Sequence, residues 1–133
     1  MRAPVLCLAI ILLVGTVAAK ASAQEDNATW GGKHIEMTVT ASGAQIEFDC
    51  ATGNIAEKVP LTSNSHFQLK GTLTREHGGP VRKNETSNVK KAIYSGKIEN
   101  GTITLTVLVD GKNPFGQRFV LKRGRPGQVM KCR

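Results

Sequence analysis

The chain has 133 residues and a formal net charge of +8, with 40% hydrophobic and 21% charged residues. A chain of this length folds as one domain at most, and its ordinary composition excludes a multidomain enzyme, a coiled coil and a disordered tail.

The first 23 residues have the pattern of a secretory signal peptide. Arg2 supplies the positive start, residues 5–19 carry no charge, and Ala21-Ser22-Ala23 is a small-residue cleavage pattern. The uncharged run is too short to span a bilayer but matches a signal-peptide core. We predict a signal peptide at 1–23 and a single β domain at 24–133 that is secreted or periplasmic, without a transmembrane segment. A retained membrane anchor is the alternative.

The cysteines agree with export. Cleavage removes Cys7 and leaves Cys50 and Cys132. An even pair in an exported chain indicates a disulfide, whereas a metal site would need a CxxC motif or a Cys-His cluster. We therefore predict that Cys50 and Cys132 are bonded.

The mature chain begins with two runs in which apolar and polar residues alternate, which is the period of a β-strand. Residues 34–40 and 45–50 keep their apolar residues on one face if Ser42-Gly43 is a two-residue turn. The implied pairs are Val39 with Ile46, Met37 with Phe48 and Ile35 with Cys50.

Further alternating runs follow at 67–73, 92–98, 103–109 and 119–121, with a last short run at 129–132. Residues 55–61 stay ambiguous because Pro60 cannot donate a hydrogen bond to a neighbouring strand. Asn100-Gly101 is a strong signal for a two-residue hairpin turn.

Seven or eight short strands joined in sequence predict an all-β fold. We favour a small antiparallel meander barrel over a two-sheet sandwich, because the connections are typical of successive hairpins. The inward residues are apolar and lack polar anchors, which favours an interior filled by side chains over a ligand cavity.

Charge is unevenly placed along the chain. Residues 24–66 contain 2 Lys/Arg and 6 Asp/Glu, whereas residues 67–133 contain 14 and 4. Alternation places Lys97, Arg118 and Lys122 on the outer face of the sheet. They predict a surface for an unknown protein or an anionic envelope polymer, with ordinary solvation as the alternative. Nucleic acid is not expected as a partner of an exported protein.

The first hairpin also gathers acidic side chains on its outer face. In the predicted register Glu36 lies opposite Asp49, with Glu47 one step away. Like charges across a strand pair destabilise it, so we expect a cation nearby. Lys131 or Arg133 from the C-terminus is favoured over a metal ion.

The long polar stretch at 75–90 is a candidate recognition loop through Arg75, His77 and Arg82, since long loops in compact domains are often functional. A flexible connection is the alternative. A second candidate contact is the outer apolar pair of Ile93 and Leu108. We favour a local pair over self-association there, and expect a monomer or weak dimer.

Patterns for catalysis or metal binding are missing from the sequence. The three histidines, His34, His66 and His77, lack HxH or HExxH spacing, and there is no GxSxG motif. We expect neither enzymatic activity nor a cofactor.

Trp30, just before the first predicted strand, resembles the Trp that closes one end of lipocalin-like barrels. In those barrels an Arg from the final strand packs across the Trp, and the resemblance implies this role for Arg123 or Arg125. Some small exported barrels of this type inhibit proteases through their N-terminal segment. A protease inhibitor acting through residues 24–29 is therefore the alternative function.

Several segments resemble a family of short exported bacterial β-rich proteins with an HGGPVR loop and a C-terminal Lys-Cys. They are Trp30-Gly31-Gly32, Glu47-Phe48-Asp49-Cys50, residues 77–82, residues 102–107 and Lys131-Cys132. The resemblance implies export, the cysteine pair and a small β fold, but no catalytic residue and no ligand. The sequence thus predicts an exported β-barrel binding module.

Overall fold

The computed structural model describes residues 28–77, 79, 83 and 88–132, and the predicted signal peptide lies outside them. Eight strands follow one another: β1 (Ala28–Gly32), β2 (Ile35–Val39), β3 (Ala44–Phe48), β4 (Ala51–Ile55), β5 (Ser65–Arg75), β6 (Val89–Glu99), β7 (Thr102–Leu108) and β8 (Phe119–Arg123). Each pairs antiparallel with its neighbours in the chain, and β1 also pairs with β8. The strands therefore close into the predicted meander barrel of eight strands, and not into a sandwich.

Alternation along the strands builds the core. In β2, Ile35, Met37 and Val39 are buried, whereas Glu36 and Thr38 are half-buried. The same rule holds around the barrel, and every fully buried residue in the described part of the chain is apolar or aromatic. Large buried side chains such as Trp30 and Phe48 fill the interior, as the inward apolar pattern predicts.

Tyr94 is the central side chain of this core. It is fully buried, and its hydroxyl donates a hydrogen bond to the Thr72 carbonyl oxygen at 2.6 Å. Two inward glycines make room for its ring. A Cβ on Gly53 would lie 2.4 Å from the Tyr94 hydroxyl oxygen, and one on Gly71 would lie 2.9 Å from Tyr94 Cε2.

Burial raises the pKa of Tyr94 well above its ordinary value because the charged phenolate would be desolvated. The stability that follows is fully present below the unfolded-state pKa of about 10 and is lost as the pH rises from there through the folded-state pKa. Tyr94 is the only tyrosine. In an alkaline titration we expect phenolate absorbance to rise together with loss of the folded circular dichroism signal. Phenolate in a protein that is still folded near pH 10 would contradict this.

The hairpin of β2 and β3 has a different register from the predicted one. Val39 pairs with Ala44, and the Thr40 N–H donates to the Gly43 carbonyl oxygen at 2.9 Å, so the turn is Ala41-Ser42 and not Ser42-Gly43. The pairs predicted from the Ser42-Gly43 turn are wrong. Gly43 has another role: a Cβ there would lie 2.1 Å from the Ile55 carbonyl oxygen.

The hairpin of β6 and β7 has the predicted register, with Lys97 opposite Thr104 and Ile93 opposite Leu108. Asn100 and Gly101 both have positive φ, 49° and 72°, as this kind of two-residue turn requires. The short strand predicted at 129–132 is absent, and the run at 55–61, left ambiguous by the sequence, contributes only the end of β4. The sequence did not predict β1 or β4 as strands, so Trp30 lies within a strand and not before the first one.

Candidate anion-binding surface

The outer face of β5 to β8 carries the predicted basic groups on a polar sheet. Ile98, Ile103 and Leu105 point into the core, so their chain neighbours point outward. Lys97 consequently lies between His66 of β5 and Thr104 of β7. The basic surface predicted from the sequence did not include His66, although the alternation of β5 places this side chain outward.

These side chains line a shallow, open groove of about 710 Å³. Its polar members are His66, Gln68, Ser95, Lys97, Thr104, Thr106 and Arg118. Arg118 directly precedes β8 and reaches the groove from the side opposite β5. Two cations among hydroxyl and amide groups offer charge attraction together with hydrogen bonds to an oxyanion.

The groove keeps a positive charge. Lys97 Nζ lies 3.5 Å from Glu99 Oε2, and both side chains are about half exposed, so this ion pair is weak. Arg118 has no carboxylate within 4.0 Å in residues 28–77 and 88–132. An anionic group entering the groove therefore meets a guanidinium that has no ion-pair partner among the described residues and an ammonium that is easily released.

Lys122 does not join this groove. It pairs with Thr102 of β7 and Gly31 of β1, and it lines a separate pocket with Lys33 and Arg125. The predicted surface of three cations is therefore divided into two places.

Arg75 belongs to the barrel end and not to the polar loop. It is the last residue of β5, its Nη2 donates to the Pro114 carbonyl oxygen at 3.0 Å, and its guanidinium lies 5.6 Å from the centre of the Phe115 ring. Phe115 stacks on Phe48 with ring centres 4.6 Å apart. Arg75 thus covers an aromatic cluster at the end of β5, which corrects its placement in the loop.

The structure places only one of the other two residues of the candidate recognition loop, His77 and Arg82. His77 is exposed at the end of the described segment that follows β5. Arg82 lies outside the described residues.

The acidic cluster of the first hairpin is where the C-terminus docks. Glu36 lies opposite Glu47, because of the changed register, so its predicted pairing with Asp49 is wrong. Residues 124–132, which we call the C-terminal strap, run back over this face. Lys131 Nζ lies 3.4 Å from Glu47 Oε1, as the expectation of a cation from the C-terminus predicted.

Backbone N–H groups of the strap satisfy the other two carboxylates. The Gly127 N–H donates to Glu36 Oε2 and the Met130 N–H donates to Asp49 Oδ1, each at 2.7 Å. Asp49 also contacts His34 Nδ1 through its second oxygen. These charged hydrogen bonds offset the repulsion between the carboxylates.

The disulfide completes the attachment of the strap. Cys50 and Cys132 are bonded, as predicted, with their Cα atoms 5.0 Å apart. The Cys50 N–H also donates to the Met130 carbonyl oxygen at 3.3 Å.

Trp30 and Arg123 have the arrangement that the lipocalin-like resemblance implied. Trp30 is buried, it pairs with Arg123 across β1 and β8, and the guanidinium lies 6.0 Å from the ring centre. Arg125, the other candidate, belongs to the strap. Of the segment proposed for protease insertion, residues 24–27 lie outside the described part, and Ala28 and Thr29 belong to β1 and pair with β2.

In the described part of the chain, no three His, Cys, Asp or Glu side chains are grouped as they would be around a metal ion. A search of the same residues finds no helix of the length and apolarity needed to cross a membrane. The chain matches no protein-family model, no curated protein and no solved structure at a significant level.

Proposed function

We propose that the protein is an exported binding module whose groove on the outer face of β5 to β8 binds an anionic polymer of the cell envelope. The observation that carries this proposal is the convergence of Lys97 and Arg118 on one groove lined by hydroxyl groups. A groove on an outer sheet face suits an extended chain, whereas the filled interior leaves little room for an enclosed ligand.

Export is part of the proposal. A disulfide persists in oxidising compartments, and Cys50–Cys132 fits a secreted or periplasmic location. The signal-peptide pattern of residues 1–23 points the same way. In this proposal the chain is a binding protein and not an enzyme.

Reversing the charge of the groove is the direct test. We expect the double variant Lys97→Glu and Arg118→Glu to bind heparin and polygalacturonate at least about tenfold more weakly, because two attractive contacts become repulsive. Raising the salt concentration should weaken wild-type binding and reduce the difference between the two proteins. Affinity for the immobilised polymers at several salt concentrations measures both effects.

A matched control separates the groove from net charge. The double variant Lys58→Glu and Lys112→Glu changes the net charge equally at exposed positions outside the groove. It should retain most of the wild-type affinity. Equal losses in the two double variants, or no loss in the first, would reject the groove as the binding surface.

A further inference from the structure

A second basic pocket lies under the C-terminal strap, outside the groove. It has a volume of about 250 Å³ and is bounded by β8, by the end of β1 and by the strap. Its three cations come from separate parts of the chain: Lys33 follows β1, Lys122 lies in β8, and Arg125 lies in the strap. Sequence reasoning did not include Lys33, and it considered Arg125 only as a partner of Trp30.

The floor of this pocket is backbone, which explains the Gly31-Gly32 pair. A Cβ on Gly31 would lie 2.2 Å from the Arg125 carbonyl oxygen, and one on Gly32 would lie 1.9 Å from the Val120 carbonyl oxygen. Side chains at either position would push the strap or β8 away. Gly31 therefore lets the strap approach the end of β1 closely, and Gly32 lets β8 do the same.

The strap is fixed beside the pocket by main-chain hydrogen bonds. The Gly124 N–H donates to the Thr29 carbonyl oxygen at 2.7 Å, and the Gln128 N–H donates to the Gly32 carbonyl oxygen at 3.0 Å. Arg125 lies between these two anchors, so its backbone position is set before any ligand arrives. A preformed site loses less conformational entropy on binding.

The cations of the pocket have no ion-pair partner in the described part of the chain. Within residues 28–77 and 88–132, none of the three cations has a carboxylate within 4.0 Å. The nearby Glu36 accepts the Gly127 N–H, which orients its carboxylate toward the strap and leaves its charge in place. Three like charges around one small pocket repel one another, and a multiply charged anion would turn that repulsion into attraction.

We propose that this pocket binds a phosphate or sulfate group, together with part of the molecule that carries it. A tetrahedral oxyanion offers enough oxygen acceptors for ammonium and guanidinium donors on three sides. The volume exceeds that of the oxyanion alone, which leaves space for the adjoining part of a sugar or glycerol unit.

The pocket is separate from the groove of the proposed function. Arg118 of the groove directly precedes β8 and Lys122 of the pocket lies four residues further along the chain within β8, or about 13 Å away at the rise of a β-strand. Each place can therefore be tested without the other.

The experiment uses the oxidised mature protein and three probes: inorganic phosphate, inorganic sulfate and glycerol 3-phosphate. Binding is followed by titration with NMR of the Gly31 and Gly32 amides, which lie in the pocket floor. We expect saturable shifts of these amides and weaker binding of about tenfold or more in the double variant Lys33→Gln and Arg125→Gln. The matched control Lys97→Gln and Arg118→Gln should stay within about twofold of wild type.

Several results would overturn the proposal. One is the lack of saturation with all three probes, and another is equal weakening in the two double variants, which would indicate diffuse charge attraction. Glycerol 3-phosphate should bind more tightly than inorganic phosphate if the pocket holds the carrier. Equal affinities for glycerol 3-phosphate and inorganic phosphate would overturn the inference that the pocket holds the carrier, and would indicate a site for the free ion.

Discussion

Replacing both Cys50 and Cys132 by serine is expected to lower the free energy of unfolding by about 4 kcal/mol. The two residues are 82 positions apart, so the bond closes a loop that contains most of the barrel. In the chain-entropy account, such a crosslink removes many conformations from the unfolded state. A loss of this size should lower Tm by about 15 °C or more in a domain of this length. Urea unfolding of the oxidised wild type and the double variant measures the difference.

A second variant separates the covalent bond from the contacts of the strap. Glu47→Gln removes the ion pair with Lys131, in which both side chains are about half exposed, and should cost less than about 1 kcal/mol. If removing the disulfide costs no more than removing this ion pair, the loop-closure account is wrong. The strap would then be held mainly by its hydrogen bonds.

The all-β fold and the inward faces of β2, β3 and β5 to β8 could be predicted because alternation is read locally, whereas β1 and β4 were missed. Each strand reveals which face is apolar without knowledge of its partner. The register between two strands cannot be read in the same way. A shift of two residues in the pairing leaves every side chain on the same face, so the alternation in β2 and β3 permits both the predicted register and the observed one. Asn100-Gly101 resolves this for β6 and β7. At the first hairpin, Gly43 mimics a turn signal although close approach to Ile55 requires it.

The candidate surface was predictable only where register was predictable. Lys97 and Arg118 line the same groove. The turn at Asn100-Gly101 fixes the pairing of β6 with β7, and the alternation that continues into β8 places Arg118 on the outer face. Lys122 is separated from Arg118 by register, because Val120 of β8 lies opposite Thr104 and Lys122 lies two residues further along, beside Gly31 of β1. The strap itself has no strand period, and its hydrogen bonds go to loops, carboxylates and strand ends. The one sequence feature that points to the strap is Gly31. It lies on the outward side of β1 and has no side chain, which leaves room for another segment to pack there.

Arg75 illustrates the same limit at the opposite end of the barrel from the Asn100-Gly101 turn. The sequence assigns it to a polar loop because Glu76, His77 and Gly78 follow it. In the structure β5 extends to Arg75, where pairing with Ala51 of β4 is still intact. The contact with Phe115, 40 residues later in the chain, leaves no periodic trace in the sequence. Long-range cation–ring contacts of this kind need the folded arrangement to be recognised.

Tyr94→Ala is expected to cost about 3–5 kcal/mol, the range for removing a large aromatic side chain from a packed core. The upper part of this range applies because Gly53 and Gly71 line the vacated space and have no side chains with which to fill it. Tyr94→Phe keeps the ring and loses only the hydrogen bond to Thr72, so it should cost about 1 kcal/mol. Denaturant unfolding of both variants separates packing from hydrogen bonding. A Tyr94→Ala protein within about 1 kcal/mol of wild type would show that the ring is not the centre of the core.

A double-mutant cycle with Gly53→Ala tests the cause. In the wild type, the added Cβ would lie 2.4 Å from the Tyr94 hydroxyl oxygen, and we expect a cost of about 2 kcal/mol from overpacking. In the Tyr94→Phe background that oxygen is gone, and the nearest remaining atoms, Phe48 Cε2 and the ring carbon Cζ, lie at 3.2 Å. Gly53→Ala should then cost clearly less, so that the two substitutions couple by about 1 kcal/mol. Additive effects would mean that Gly53 is required for its backbone conformation in β4, and not to make room for the hydroxyl group of Tyr94.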